Sequence, residues 1–449
     1  MEIDFLLDIW QANRDREAII SRDMVYTYDW LLTRLLHWKE VIAQREIRPG
    51  AVVVLEADFS PNAVALFFAL IDHNCIVVPL SDSAQANKSE FIATAQAEVS
   101  FKIDADDSVT VTPLANIATH PIYVQLREAG HPGLVLFSSG STGESKAAVH
   151  DMLRILEKFR IPRQRLRAIT FLLYDHIGGI NTLLYTMANA GCVITVNKRD
   201  PDSVLEAVEK YHVELLPTSP TFLNLVLLSQ AYKRYDLSSL KTVTYGTEPM
   251  PQTTLQRFHE LFPGIHLQQT YGLSELGILR SKSKDPDSLW VKVGGEGFET
   301  RVVDGVLHVK ARSAMLGYLN APSPFTDDGW FDTGDAVDVD GEYIRILGRK
   351  SEIVNVGGQK VYPAEVENVI QELAEVAEVT VYGERNAITG SIVCADITPA
   401  SPLEESQQKE IVLLVKRHCR EKLASYKVPI KVRVISESQH TERFKKARR

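Results

Sequence analysis

The segment Ser138–Lys146 concentrates residue types that can bind a phosphate group. Its sequence, Ser-Ser-Gly-Ser-Thr-Gly-Glu-Ser-Lys, directly follows an apolar run at 134–137 that is typical of a buried strand. Glycines let the backbone approach a ligand closely, hydroxyl and backbone N–H groups donate to phosphate oxygens, and Lys146 adds positive charge. The spacing does not fit the GxxxxGK[ST] pattern of P-loop nucleotide hydrolases. Because the loop should stand between a buried strand and a helix, we predict a phosphate-binding loop of a different kind.

Two later segments each place a carboxylate beside turn residues. Tyr271–Gly277 reads Tyr-Gly-Leu-Ser-Glu-Leu-Gly, and its Glu275 is the ligand type that Mg²⁺ prefers when phosphate oxygens and water complete the shell. Gly329–Asp335 reads Gly-Trp-Phe-Asp-Thr-Gly-Asp, and a carboxylate such as Asp335 can accept hydrogen bonds from two hydroxyls. Read alone, Glu275 is a charged residue after a turn, and the structural alternative for Gly329–Asp335 is a capped turn.

The elements that must position these residues alternate between helices and short β-branched strands. The pattern predicts a helix over 27–43, a strand over 52–56, a helix over 61–71 and a strand over 75–80. Further strands are expected at 168–172, 193–196, 214–217 and 242–245, with a helix over 201–211. Such alternation predicts parallel sheets covered by helices on both faces.

The last third of the chain has a different pattern of apolar and turn residues. Asp-Gly turns at 304–305 and 340–341 stand between alternating apolar residues, which predicts two hairpins and an antiparallel subdomain. After Gly348 a third composition begins, with strands near 376–382 and 391–397 and a long helix over 404–424. We therefore expect a domain at 1–350 and a second, smaller domain at 351–449.

In this order, the segments resemble the motifs of the adenylate-forming superfamily of acyl-CoA synthetases, peptide-synthetase adenylation domains and luciferases. The loop is similar to [ST]SG[ST]TGxPKG, with Ser145 for proline and Ala147 for glycine, and the next two segments are similar to YGxTE and GW[FY]xTGD. The stretch 348–367 resembles GRxDDxIKxxGxxVxPxEIE, although Ser351 and Asn355 depart from it. Residues 426–429 read YKVP, and the end of the chain is similar to PRTxxGKxxR.

The resemblance implies an α/β fold. It consists of a large N-terminal domain with several subdomains, parallel sheets and a small antiparallel barrel-like subdomain, followed by a small mobile α+β C-terminal domain. It also implies an acid–thiol ligase that uses ATP and Mg²⁺ to form acyl-AMP, releases pyrophosphate and then transfers the acyl group to CoA.

The resemblance carries over a set of site residues. Catalytic roles fall on Lys445, Glu275 and Lys146, with Glu275 also the metal ligand and Lys446 an alternative to Lys445 one position on. The ATP- and AMP-binding residues are Ser138, Ser139, Gly140, Ser141, Thr142, Gly143, Lys146, Gly246, Thr247, Glu248, Tyr271, Gly272, Ser274, Asp335, Arg349 and Lys445. The hinge falls at Ser351, and Gly357 and Gly358 belong to the thiol step.

The acyl pocket is expected at Asp175, His176, Thr218 and Gly277. If Asp175 faces the pocket, the acid carries an amine, because a carboxylate pairs with an ammonium in a low-dielectric site. If His176 faces it, an aryl or alkyl acid is indicated. A third possibility is that this pair only begins and packs a helix.

Composition limits the other possibilities. Of 449 residues, 45% are apolar, and the net charge of −9 argues against a general nucleic-acid binder. The four cysteines are scattered, the start lacks a basic signal-peptide region, and the apolar run 63–71 is too short to cross a bilayer, so we expect a cytoplasmic enzyme with reduced thiols. Two rival functions stay open: an enzyme that loads the phosphopantetheine of an acyl or peptidyl carrier protein, and a nucleotide-binding homologue without catalysis.

Overall fold

The computed structural model describes residues 3–139, 145–436, 439–440 and 446, and of Ser139 only the backbone. Within these ranges the α-helices are α1 (Asp4–Gln11), α2 (Tyr28–Gln44), α3 (Pro61–Asp72), α4 (Lys88–Thr94), α5 (Pro121–Ala129), α6 (Met152–Leu156), α7 (Ile177–Ala188), α8 (Pro201–Tyr211), α9 (Pro220–Ser229), α10 (Gln252–Leu261), α11 (Pro363–Ile370) and α12 (Glu405–Lys422).

The strands of the same ranges form four sheets. They are β1 (Glu17–Ser21), β2 (Met24–Thr27), β3 (Val52–Glu56), β4 (Ile76–Leu80), β5 (Val99–Ile103), β6 (Val109–Pro113), β7 (Gly133–Ser139), β8 (Ser145–Asp151), β9 (Arg167–Ile169), β10 (Cys192–Ile194), β11 (Leu215–Thr218), β12 (Thr242–Tyr245), β13 (His266–Gln269), β14 (Tyr271–Leu273), β15 (Gly277–Ser283), β16 (Val291–Gly294), β17 (Phe298–Val303), β18 (Val306–Ala311), β19 (Gly317–Tyr318), β20 (Phe331–Asp340), β21 (Tyr343–Arg349), β22 (Val354–Val356), β23 (Gln359–Val361), β24 (Val376–Asn386), β25 (Gly390–Pro399) and β26 (Lys431–Val434).

Two seven-stranded sheets make up the first two thirds of the chain. One has the order β13-β12-β11-β9-β10-β1-β2 and the other the order β19-β8-β7-β4-β3-β5-β6. Strands β7, β4, β3 and β5 are parallel neighbours, as are β13, β12, β11, β9, β10 and β1, whereas antiparallel strands lie at the edges. Helix α3 is wholly buried, and the Ser60 side chain caps it by accepting from the Ala63 backbone N–H. The predicted α/β architecture with parallel sheets is confirmed.

The third seven-stranded sheet is antiparallel and follows the order β14-β15-β16-β21-β20-β18-β17. Both predicted hairpins form, but the second turn is centred on Gly341 and Glu342, one residue beyond the predicted Asp-Gly pair. Asp304 and Gly305 adopt φ of 51° and 75°, and Gly341 adopts 61°, the left-handed values that such two-residue turns require. Strand β20 pairs with β21, which places Asp335 opposite Arg349.

The C-terminal portion is a five-stranded sheet, β23-β22-β25-β24 with β26 paired to β25, packed against α11 and α12. Its apolar cluster draws only on residues 354–434. In the described ranges, no apolar cluster combines residues from both sides of position 350. Two hydrogen bonds that do cross run from Asn224 Nδ2 to the Ala377 carbonyl (3.1 Å) and from the Lys446 backbone N–H to Glu248 Oε2 (3.0 Å).

The surroundings of the phosphate loop differ from expectation in one respect. The loop joins two antiparallel strands, with Ser138 of β7 paired to Lys146 of β8, and the next helix begins only at Met152. The expectation of a strand followed directly by a helix is therefore wrong, because residues 145–151 form a strand between β7 and β19 of the sheet. No helix among the described residues is long and apolar enough to cross a membrane, and all four cysteines are buried and free.

Candidate active site

Glu275 lies at the meeting point of three segments that are distant in sequence. Its Oε1 accepts a hydrogen bond from the Tyr318 hydroxyl at 2.7 Å and lies 3.5 Å from Ser138 Oγ at the end of β7. Lys146 Nζ lies 5.4 Å from the centre of the Tyr318 ring. Burial and the nearby Glu275 charge raise the pKa of Tyr318, so the phenol stays protonated and acts as a donor. The structure thus brings together three predicted site residues, Ser138, Lys146 and Glu275, with Tyr318 in contact with the last two.

Sequence reasoning missed Tyr318, which ends strand β19, and Asn320, which lies two residues after it. Pairing of β19 with β8 brings this segment alongside the strand that leaves the phosphate loop. Asn320 Nδ2 donates to the Ser145 carbonyl at 2.8 Å, and the Ala147 N–H donates to Asn320 Oδ1 at 3.0 Å. Asn320 therefore fixes the backbone at the base of the loop. Only the Gly-Tyr-Leu-Asn stretch after the buried Met315 could have signalled it in the sequence.

The backbone carbonyls of Ser274 and Glu275 accept hydrogen bonds from other segments of the chain. His150 Nε2 lies 2.6 Å from the Ser274 carbonyl, and burial lowers the pKa of this fully buried imidazole, so it donates as a neutral group. The Met315 N–H donates to the Glu275 carbonyl at 2.8 Å. A side chain at Gly272 would place its Cβ 2.8 Å from the Gly277 carbonyl, so the tight β14–β15 turn requires glycine there.

Asp335 anchors a second group of predicted residues. Its Oδ2 accepts from the Tyr271 hydroxyl at 2.6 Å, and its Oδ1 lies 2.8 Å from Arg349 Nε, its cross-strand partner in β21. Arg349 also donates to the Thr333 carbonyl at 2.9 Å. Burial raises the pKa of Asp335, while the Arg349 charge and the Tyr271 hydroxyl oppose that shift. The structure therefore brings Tyr271, Asp335 and Arg349 into one hydrogen-bonded cluster.

The segment after β12 contains Gly246, Thr247 and Glu248. An ideal Cβ at Gly246 would lie 2.6 Å from Thr270 Oγ1 and 2.7 Å from the Thr270 carbonyl, so the protein's own backbone already requires glycine here. A bound nucleotide is therefore not needed to explain this glycine. Thr247 adopts a left-handed φ of 75°.

The carboxylate of Glu248 is occupied by protein groups. Its Oε1 accepts from the Thr221 backbone N–H (2.8 Å) and hydroxyl (2.5 Å), and its Oε2 accepts from the Lys446 backbone N–H (3.0 Å). Both oxygens are thus satisfied without a ligand, and the side chain links the start of α9 to the end of the chain.

The two candidate lysines near the end of the chain are not equivalent. Lys446 Nζ pairs with Glu367 Oε2 at 2.8 Å, where the Glu367 side chain is 3% exposed and also accepts from the Val381 N–H. The Lys446 ammonium is therefore ion-paired within the C-terminal portion. Lys445 lies outside the described residues, as do Gly140, Ser141, Thr142 and Gly143 of the loop.

The predicted acyl-pocket residues lie at the ends of neighbouring elements. Asp175 is buried, and its Oδ2 accepts from the Ser81 hydroxyl (2.8 Å) and backbone N–H (3.3 Å). His176 Nδ1 accepts from the Gly178 N–H (3.0 Å) and so caps α7. Thr218 ends β11, and its buried Oγ1 has no hydrogen-bond partner in the described part of the chain. Since both Asp175 and His176 have protein partners, neither identifies the acid.

The residues predicted for the hinge and the thiol step flank the C-terminal sheet. Ser351 lies in a 3₁₀ turn at Lys350–Glu352, directly after β21. Gly357 and Gly358 form the β22–β23 turn with φ of 57° and 85°, values that favour glycine. Among the described residues, no heavy atom beyond their chain neighbours lies within 4 Å of an added Cβ at either position.

Comparison with known proteins adds several relatives. An indoleacetate–CoA ligase from Aromatoleum aromaticum is 28% identical over 69% of this chain and 64% of its own length. A long-chain-fatty-acid–CoA ligase from Haemophilus influenzae is 25% identical over 92% of this chain and 78% of its own length. The match thus spans less than two thirds of the first relative and more than two thirds of the second.

Solved structures with the same fold cover nearly the whole chain. An anthranilate CoA ligase in complex with anthranoyl-AMP superposes with a TM-score of 0.83 at 19% identity, over 99% of this chain and 95% of that one. ATP-bound MatB from Rhodopseudomonas palustris gives 0.78 at 22% identity, over 98% and 96%. At this level of identity the likeness establishes the fold alone.

Two family models match consecutive parts of the sequence. The AMP-binding enzyme model matches residues 8–319, and the model of the AMP-binding enzyme C-terminal domain matches residues 365–445. The first of them alone spans more than half of the chain and includes Lys146, Glu275 and Tyr318. The resemblance inferred from the motifs is confirmed, and the chain belongs to the AMP-binding enzyme family.

Proposed function

We propose that this protein activates a carboxylic acid with Mg·ATP to form acyl-AMP and pyrophosphate, and then transfers the acyl group to the thiol of CoA. The observation that carries the proposal is the placement of two clusters on adjacent parts of the fold. One joins Glu275, Tyr318, Ser138 and Lys146, and the other joins Tyr271, Asp335 and Arg349. Together they offer a carboxylate and cation for polyphosphate and an acceptor for ribose hydroxyls.

The first half-reaction forms one bond and breaks one. A substrate carboxylate oxygen attacks the α-phosphorus of ATP, and the bond to the bridging oxygen of pyrophosphate breaks. Lys146 and the loop offset phosphate charge, and Lys445 stabilises the developing charge on the α-phosphate by electrostatic preorganisation. Because the Lys446 ammonium is paired with Glu367, we assign this role to Lys445.

The residues around Glu275 fit a magnesium ion carried by the nucleotide. Mg²⁺ in nucleotide sites is held by one or two carboxylates together with phosphate oxygens and water. Glu275 supplies one such carboxylate, oriented by Tyr318. Across the described ranges no group of three His, Cys, Asp or Glu side chains could hold a metal unaided, which agrees with an ion that arrives with ATP.

In the second half-reaction a thiolate sulfur attacks the acyl carbonyl carbon, and AMP leaves with the mixed-anhydride oxygen. The relatives named above are CoA ligases, which favours CoA over a carrier protein as the acceptor. We propose that residues 351–449 form a mobile domain that turns about Ser351 and brings Gly357 and Gly358 to the site. The separate apolar core at 354–434 supports this division.

The test is acid-dependent pyrophosphate release measured across a library of aryl, alkyl and amino acids. We expect release with at least one acid, dependence on Mg²⁺, and loss of activity in Glu275→Gln. The matched control is Glu260→Gln, an exposed glutamate on α10 that should behave as wild type. Thioester formation with CoA and with a panel of carrier proteins then identifies the acceptor. ATP binding without pyrophosphate release for any acid would instead establish the non-catalytic homologue.

A further inference from the structure

Lys158 is a lysine that the proposed chemistry leaves unused. It lies in the 3₁₀ turn Glu157–Arg160 that follows α6. Its Nζ donates to Asn181 Oδ1 on α7 at 2.6 Å and to the Ile278 carbonyl on β15 at 2.9 Å. The half-buried ammonium therefore lies between a helix and a strand of different subdomains.

No carboxylate compensates this charge. In the part of the chain that the structure describes, Lys158 makes no ion pair, and its polar partners are one amide oxygen and one backbone carbonyl. The neighbouring charge is another cation, Arg280. Burial, reinforced by Arg280, lowers the pKa of Lys158 to about 7. Because an ammonium without a counter-ion is costly to desolvate, and groups with perturbed pKa values cluster at functional sites, Lys158 is a candidate for ligand binding.

The hydrogen-bonding capacity that is left over at this position consists of donors. Asn181 uses its Oδ1 to accept from Lys158, and the Nδ2 amide of the same side chain is a donor. A lysine ammonium carries three N–H groups, and two of them are used here. The complementary group is an anionic, oxygen-rich one, such as a second carboxylate.

The location connects these donors to the predicted acyl pocket. Asn181 lies just over one turn beyond His176 at the start of α7, and Ile278 directly follows Gly277 at the start of β15. His176 and Gly277 are both predicted pocket residues, so Lys158 contacts the two elements that carry them. Glu275, the proposed metal ligand, lies three residues before Ile278 in the sequence.

We propose that Lys158 and Asn181 form the remote end of the acyl pocket and select an acid that carries a second anionic group opposite the reacting carboxylate. This inference rests on the proposed acid activation. The competing role is a purely structural one, in which Lys158 only braces the 3₁₀ turn against α7 and β15.

The test compares matched acids that differ only by the second carboxylate. We would measure kcat/KM for pyrophosphate release with hexanoate against adipate, and with phenylacetate against 4-carboxyphenylacetate. Wild type should prefer the dicarboxylate of at least one pair by about tenfold or more, the effect of a hydrogen-bonded charge pair. The preference in kcat/KM should decline as the pH rises through about 7, because the free lysine then loses its proton.

Variants separate selection from bracing. Lys158→Met should remove the preference while keeping activity on the monocarboxylate, and Asn181→Asp should also remove it by giving the lysine an internal partner. Lys241→Met, at an exposed lysine paired with Glu214, is the control and should keep the wild-type preference.

Equal kcat/KM values for both members of each pair in wild type would overturn the inference, as would an equal loss on both acids in Lys158→Met. Those results leave acid activation intact. Absence of pyrophosphate release with every acid would overturn the proposed function and this inference together.

Discussion

Replacing Tyr318 by phenylalanine removes one hydroxyl and keeps the ring near Lys146. That hydroxyl donates to Glu275 Oε1 at 2.7 Å, and Tyr318 is only 7% exposed. A hydrogen bond to a charged acceptor contributes about 1.5–3 kcal/mol. Loss of a group that orients a metal-binding carboxylate typically lowers metal affinity or activity by roughly 10- to 100-fold.

The assay for Tyr318→Phe is acid-dependent pyrophosphate release as a function of Mg²⁺ concentration. We expect half-maximal activity at a roughly 10- to 100-fold higher Mg²⁺ concentration, with a smaller change at saturation, because the carboxylate is misplaced and not removed. Tyr185→Phe is the matched control, since the Tyr185 hydroxyl donates to the neutral Gln164 carbonyl near the surface at 3.1 Å. An unchanged Mg²⁺ dependence in Tyr318→Phe would refute the proposed positioning of Glu275.

Three further perturbations address other parts of the site. Lys446→Met should keep activity but lower the free energy of unfolding by roughly 3 kcal/mol, because it leaves the buried Glu367 carboxylate without its cation. Lys445→Met should lose activity and keep the wild-type free energy of unfolding. Pyrophosphate release and denaturation curves measure the two properties. Asp335→Asn should weaken ATP binding by about tenfold in calorimetry. The ionised Asp335 carboxylate is the acceptor, and burial raises its pKa. The affinity of the wild type for ATP should therefore decline on acidification, at a higher pH than an ordinary aspartate would give. Asp335→Asn should lack that decline. Asn320→Ala should raise the KM for ATP by roughly tenfold through loss of two hydrogen bonds at the base of the phosphate loop, and an unchanged KM would contradict that role.

Local patterns predicted much of the architecture. Helix α2 and strands β3 and β12 lie within a residue of their predicted bounds, and both predicted hairpins form. Apolar periodicity and turn chemistry act over short stretches of chain, so sequence alone reveals them. Strand β8 was missed because its run Ala-Ala-Val-His lies next to loop residues and carries little β signal before its partner β7 is known.

Contacts that depend on tertiary pairing could not be predicted in the same way. Tyr318 reaches Glu275 only because β19 pairs with β8, and the Glu248 carboxylate meets Thr221 and Lys446 across long sequence separations. The resemblance assigns Gly246 to nucleotide binding, whereas its contact with Thr270 already accounts for a glycine at this position. A motif predicts which residues belong to the site, but the hydrogen-bond partner of each polar atom depends on the tertiary structure.

The way in which the two portions of the chain meet has a thermodynamic consequence. Each has its own apolar core in the described ranges, and the contacts between them include hydrogen bonds such as Asn224 to Ala377. The heat-capacity change of a transition scales mainly with the apolar surface that it exposes, while polar exposure acts in the opposite sense. Separation of the portions would therefore have a small heat-capacity change compared with unfolding of either one. Its enthalpy would stay nearly constant with temperature, and a van't Hoff plot of the equilibrium would be close to a straight line.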